Sequence, residues 1–167
     1  MTETENHSTQ SGDKQFAIQK VYVKDLSFET PNTPEIFKKN WEPEVNMQMG
    51  NKFITIGEGV HEVTLIVTLT AKIGKKTAYL VEVQQAGIFT IQGFEQSEFG
   101  NMVGNYCLNI LFPFARETIC DLVTRGGFPQ QLLPPVNFDA LYKEALSQKQ
   151  QQEQQAQNQS PQAETKH

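Results

Sequence analysis

The chain reads as an α+β protein built on an antiparallel sheet, and three observations carry that expectation. Strand-like segments come first and helical ones last. The clearest strand, residues 60–73, alternates Val63, Leu65, Val67, Leu69, Ala71 and Ile73 with Glu62, Thr64, Thr68 and Thr70. The tight Gly74-Lys75-Lys76 connection then returns the chain into a second alternating run. Residues 109–127, NILFPFARETICDLVTRGG, carry a helical period instead: Leu111, Phe112, Ala115, Ile119, Leu122 and Val123 fill one broad apolar arc.

Residues 1–14 hold Glu3, Glu5 and Asp13 and nothing to bury, so a disordered tail is expected. Residues 16–29 alternate as a strand, with Phe16, Ile18, Tyr22, Leu26 and Phe28 on one parity. Val21, Val23, Asp25, Ser27 and Glu29 share the other. Thr30-Pro31-Asn32-Thr33-Pro34 breaks that strand, and Thr33 is placed to cap a short turn holding Ile36 and Phe37. Val45-x-Met47-x-Met49 is a short strand that should stop at Gly50-Asn51. In the return strand, residues 77–86, Tyr79, Val81 and Val83 face one way and Leu80, Glu82 and Gln84 the other. Gly87 suggests a bulge or bend before residues 88–91 resume.

Residues 94–103 are mixed polar and aromatic, and the long helix follows. Its polar side gathers Glu117, Thr118, Asp121, Thr124 and Arg125, with Asp121 and Arg125 able to pair. Ile110 and Phe114 also fall on that side, leaving more apolar surface than one small sheet covers. A fully buried core helix and a subunit contact both fit. Gly126-Gly127 and Pro129 stop the helix, and Pro129, Pro134 and Pro135 keep residues 128–136 non-helical. Asn137 can cap a last helix with Phe138, Leu141, Tyr142, Ala145 and Leu146 on one face. From Gln148 the composition turns Gln-rich and reads as a low-complexity tail. One domain, residues 15–147, is therefore expected between tails 1–14 and 148–167.

A net charge of −5 without a basic stripe argues against nucleic acid as the ligand. No apolar run reaches the length of a membrane span, and no basic-then-apolar signal opens the chain, so no membrane insertion and a cytoplasmic location are expected. Cys107 and Cys120 form no CxxC pair and read as two reduced, buried thiols. No catalytic set assembles, so an enzyme is not expected. Gly74-Lys75-Lys76-Thr77 lacks the earlier glycine of a phosphate loop and joins strand to strand. His61, alone between the tails, has no spaced partners for a metal and reads as a strand-end residue at a solvent edge. Neither metal nor cofactor is expected. Asp25, Glu29 and Glu82 read most simply as a solvated sheet face, or else as a docking patch. Apolar residues in irregular segments, such as Phe37, Trp41, Phe128, Leu132 and Leu133, either close the core or line a groove for apolar peptides.

The blocks KDLSFE (24–29), NWEPEV (40–45), EVQQAGIF (82–89), NILFPFARE (109–117), RGGFP (125–129) and PVNFDALY (135–142) resemble, in order, those of the bacterial export chaperone family SecB. The likeness spans residues 16–146. It implies a four-stranded antiparallel sheet with a long helix packed on one face and a short C-terminal helix. It also implies a homotetramer, a dimer of dimers with the long helices between two eight-stranded sheets. The implied activity is that of an ATP-independent holdase, which keeps secretory precursors unfolded and delivers them to the SecA motor.

Residue by residue, the resemblance assigns SecA docking to Asp25, Glu29, Leu80 and Glu82, reversing the solvated-face reading. Client binding falls on Phe37, Trp41, Val45, Met47, Phe128, Leu132, Leu133, Phe138, Leu141 and Tyr142. Subunit contacts fall on Val81, Val83, Gln85, Ile110 and Phe114. Three stretches depart from the family pattern: the basic turn Lys75-Lys76, the segment Phe99-Gly100-Asn101-Met102, and a Gln-rich rather than acidic tail. A peptide-binding or structural oligomer without an export role is the alternative.

Overall fold

The computed structural model describes residues 13–158. Four strands, β1 (Gln15–Glu29), β2 (Glu44–Gly57), β3 (Val60–Ile73) and β4 (Lys76–Gln92), form one antiparallel sheet in the order β1-β4-β3-β2. A single 3₁₀ turn, Glu35–Lys38, separates β1 from β2. Helices α1 (Gln96–Asn101), α2 (Cys107–Arg125) and α3 (Phe138–Asn158) follow, and a π-type turn over Met102–Tyr106 joins the first two. The expected α+β class is the observed one.

α2 packs on the face of β3 and β4, and the alternation seen in the sequence decides which residues it covers. Val63, Leu65, Val67, Leu69 and Ala71 of β3 lie beneath it with Tyr79, Val81 and Val83 of β4. Leu111, Ala115, Ile119 and Val123 close the layer from the helix side. Val81, Val83 and Gln85, expected at a subunit contact, are thus core residues of a single chain. One helix is wide enough to seal the two central strands, which leaves these side chains no surface to offer a second copy. Ile110 and Phe114 do lie outside that layer, half-buried and exposed respectively.

Strand β1 departs from strict alternation. Its pairing with β4 shifts between Ile18 and Lys20 and again between Val23 and Asp25, so Gln19 and Lys24 are extra residues. Each bulge flips the parity. Phe16, Ile18, Val21, Val23, Leu26 and Phe28 therefore share the face toward α2, while Tyr22, Asp25, Ser27 and Glu29 share the outer face. Of the bulge or bend expected at Gly87, the bulge does not form: Gly87 pairs with Val21 and Val63 without a shift. Its missing side chain serves packing, because a Cβ there would stand 2.6 Å from Phe89 and 3.1 Å from Leu111.

Four other expectations are corrected. β2 does not end at Gly50-Asn51, since Gly50, Asn51 and Lys52 keep the ladder with Ile66, Leu65 and Thr64. Thr33 caps no helix; its hydroxyl donates back to Thr30 O at 2.9 Å. Cys107 is buried but Cys120 only half so, with Sγ donating to Gln131 O at 2.9 Å. α3 runs past Gln148 as far as Asn158, so the first part of the Gln-rich stretch is helical. Residues 1–12 and 159–167 of the two expected tails lie outside the described residues. The Asn137 cap forms as expected, Oδ1 accepting from Ala140 N at 3.0 Å, and Asp121 meets Arg125 at 2.8 Å.

Candidate functional site

Beside α2, an apolar groove of about 660 Å³ opens between β2, the π turn and α3. Met49 and Phe53 supply the strand wall, Phe99, Val103 and Leu108 the floor, and Phe138, Leu141 and Tyr142 the outer wall. Met49 and Phe53 face this way because they pair with Val67 and Val63, which point at α2. Tyr142 can lie across the π turn only because Gly100 and Gly104 carry no side chain. A Cβ at Gly104 would stand 2.6 Å from Tyr142 Cδ2, and one at Gly100 2.7 Å from its hydroxyl. Phe53 remains 48% exposed and Leu141 44%, so the groove presents a free apolar rim.

A second aromatic group sits where α2 ends. Phe128 is its centre, 5.1 Å from both Phe37 and Tyr79 and 5.4 Å from Trp41. Phe128 and Tyr79 are buried there, while Phe37 is half exposed. Burial pushes the Tyr79 phenol up to about 12, and its hydroxyl has no hydrogen-bond partner among the described residues.

The residues expected to bind clients are therefore divided. Phe138, Leu141 and Tyr142 line the groove; Phe37 and Trp41 belong to the aromatic group. Val45 and Met47 lie between the two, on the same face of β2 as Met49. Residues 128–136 link Phe128 of one region to Phe138 of the other, and within them Leu132 is 75% exposed. Phe128 and Leu133 are buried in the chain and serve packing. The sequence reading missed Phe53, Phe99, Val103, Gly104 and Leu108. Glycines spaced at positions 100 and 104 beside an aromatic were the available signal.

On the opposite face of the sheet the register gathers the four docking candidates. Glu29 pairs with Leu80, Ser27 with Glu82 and Asp25 with Gln84. Asp25 and Glu29 are exposed, while Glu82 is half-buried and accepts from Thr68 Oγ1 at 3.2 Å and Gln84 Nε2 at 3.4 Å. Further along this face, Lys24 and Tyr22 both donate to Glu62. Those bonds, Lys24 first, hold its carboxyl below the usual range, while burial and then Glu62 push the Tyr22 phenol up to about 12. His61 is not at a solvent edge. It is buried on the α2 face, 4.8 Å from the Phe99 ring, with Nδ1 3.0 Å from Thr55 Oγ1, and burial lowers its pKa.

Among the described residues no helix is long and apolar enough to cross a membrane, and no group of three or more His, Cys, Asp or Glu is arranged to hold a metal ion. The family model for the preprotein translocase subunit SecB matches residues 9–152. The chain belongs to the SecB family. Its SecB relatives include the protein-export protein SecB of Nitrosococcus oceani, 59% identical over 86% of this chain and 88% of that one. Another is that of Methylococcus capsulatus, 56% identical over 90% of this chain and 97% of its own. The SecB of Legionella pneumophila is 50% identical, covering 90% and 93%. Among solved structures, the SecB-like chaperone Rv1957 of Mycobacterium tuberculosis, in complex with a ChAD peptide from the HigA1 antitoxin, shares the fold. Its TM-score is 0.61 at 13% identity, over 72% of this chain and 90% of that one. For a SecB chain, then, the groove and the acidic outer face are two separate surfaces on opposite sides of one sheet.

Proposed function

We propose that this SecB-family chain is a protein-export chaperone that holds unfolded precursor segments without nucleotide and passes them to SecA. The observation that carries the reading is the apolar groove beneath α3, with its exposed rim of Phe53 and Leu141. Burying one large apolar side chain contributes roughly 1.5–3 kcal/mol, whereas micromolar binding needs about 8 kcal/mol. One groove is too little for tight binding once the ordering of an unfolded segment is counted. A chain threading several grooves raises the effective concentration of each later segment to about millimolar. That arithmetic favours an assembly of several copies. A homotetramer is supported by Phe114 of α2 and by Ile18, Val23 and Leu26 of edge strand β1, all exposed on the α2 side of the sheet.

Handover to SecA uses Asp25, Glu29, Leu80 and Glu82, on the face away from the groove, so client and motor bind without competing. The chaperone works in the cytoplasm and carries out no catalysis. The test is suppression of aggregation of an unfolded precursor in nucleotide-free buffer, with Phe53→Ser/Leu141→Ser as the variant. The wild type should suppress aggregation and the variant should lose most of that effect at unchanged solution mass. A wild type that leaves aggregation unaltered would sink the reading.

A further inference from the structure

Lys24 is the extra residue of the second β1 bulge, next in sequence to Asp25. Both side chains reach the outer face, Asp25 by its pairing with Gln84 and Lys24 by its ion pair with Glu62. The bulge thus sets a cation beside the first of the docking acids, and the cation is turned away from it. Among the described residues Asp25, Glu29 and Glu82 make no ion pair.

One carboxylate, engaged on both oxygens, does the turning. Glu62 Oε1 accepts from Lys24 and Oε2 from the Tyr22 hydroxyl, so the two bonds straddle the bulge. The Glu62 side chain is 12% exposed, and its carboxyl is held below the usual range, by Lys24 first, so it stays charged and keeps its hold. The register shows the direction of the pull. Glu62 pairs with Ile88, while Ile66, further along β3, pairs with Gln84, the partner of Asp25. The β3–β4 pairing has no shift between those rows, so roughly 13 Å of strand separates them at about 3.3 Å per residue. Lys24 therefore extends back along the sheet, away from Asp25. Lys52, the other cation near Glu62, donates to Gln84 Oε1 at 3.4 Å.

We propose that Glu62 is a positioning residue of the docking face: it draws Lys24 back along the sheet and leaves the Asp25 carboxylate bare for a cation of the partner. Without Glu62, Lys24 is free to pair with the adjacent Asp25. The partner must then displace an internal cation before it can use that acid. This role rests on the docking reading above, because Glu62 acts through Asp25 and is not itself a contact.

SecA is the probe. Its affinity is measured by calorimetry at 0.1 M and 0.5 M salt for the wild type, Glu62→Gln, Lys24→Gln and the double variant. Solution mass and far-UV dichroism check folding, and Glu62→Thr, β-branched and suited to a strand, replaces a Glu62→Gln that does not fold. Glu62→Gln should weaken binding about two- to fivefold at 0.1 M salt, and less at 0.5 M. Adding Lys24→Gln should recover that loss, whereas Lys24→Gln alone should change affinity by less than about twofold. Unchanged affinity in Glu62→Gln overturns the proposal. So does a loss that Lys24→Gln does not recover, which marks a merely structural Glu62. A Lys24→Gln effect of the same size with and without Glu62 marks independent charges and overturns it too. Asp25→Lys/Glu29→Lys/Glu82→Lys tests the docking reading by itself. If that triple variant is weakened, the docking reading stands whatever the other variants show; if it binds like the wild type, both fall.

Discussion

Phe53 of β2 and Phe99 of α1 meet edge to face, with ring centroids 5.6 Å apart and planes at 71°. Phe99 also meets His61 edge to face at 4.8 Å, so one ring joins the groove rim to a buried titratable group. The packing of the groove floor is thereby coupled to the protonation of His61.

That coupling sets a pH dependence. Burial lowers the His61 pKa, so the unfolded chain, titrating near 6.5, takes up a proton before the folded one does. The stability from this difference is fully present above about pH 6.5 and is lost as pH falls toward the folded value. The urea midpoint should drop as pH falls below about 6.5, and His61→Gln should flatten that slope. Glu62, held low by Lys24 and Tyr22, titrates below this window. An unchanged slope in the variant would refute the coupling.

Gly104→Ala should detach α3. Its methyl would stand 2.6 Å from Tyr142 Cδ2, so the ring must leave its place across the π turn. A loss of about 1–3 kcal/mol is expected, together with faster proteolysis within residues 128–136. Adding Tyr142→Ala should recover part of the stability, since the clash is gone; strict additivity in the double variant would contradict this packing.

Tyr79→Phe removes a buried hydroxyl that lacks a partner among the described residues. Chemical denaturation should find the variant unchanged or more stable by about 1 kcal/mol. Tyr79→Ala, by contrast, removes the buried ring that Trp41 and Phe128 pack against and should cost about 3–5 kcal/mol. A large loss in Tyr79→Phe would mean that the hydroxyl is bonded in solution.

The two thiols should part company under alkylation. Burial pushes the Cys107 thiol up to about 12 and removes it from solvent, while Cys120 is half-buried. Mass spectrometry after iodoacetamide treatment near pH 8 should find Cys120 modified well before Cys107, which reacts only after unfolding. Equal rates in the folded protein would contradict the burial of Cys107.

Strand β3, and β4 from Tyr79 to Val83, were legible because one face meets α2 at every second residue, and alternation is the direct image of that contact; Ala78 is an extra residue in the pairing before Tyr79. β1 was not, since Gln19 and Lys24 are two extra residues and a strict period of two cannot see them. Asp25 and Glu29 were still grouped correctly, because both follow the second bulge. The helical stretch beyond Gln148 was missed for a different reason: Gln, Glu, Lys and Ala are good helix formers, and low complexity says nothing against them. The groove was half legible. Its α3 wall shows a helical apolar stripe, but its floor comes from residues 94–108, where glycines and exposed polar residues blur the period.

α3 meets the body through Phe138, 5.7 Å from Phe112, through Tyr142 on its glycine seat, and through a 3.3 Å hydrogen bond from Asn105 to Asp139. A groove whose outer wall is seated at these points has the form of a caliper, with its gap set by them. In the proposed client role such a gap gauges thickness: a slender, extended segment of any apolar sequence would pass between the jaws, and a folded domain would be too wide to enter. Discrimination between unfolded and folded chains is then a property of jaw width, set by the reach of Tyr142 across two glycines.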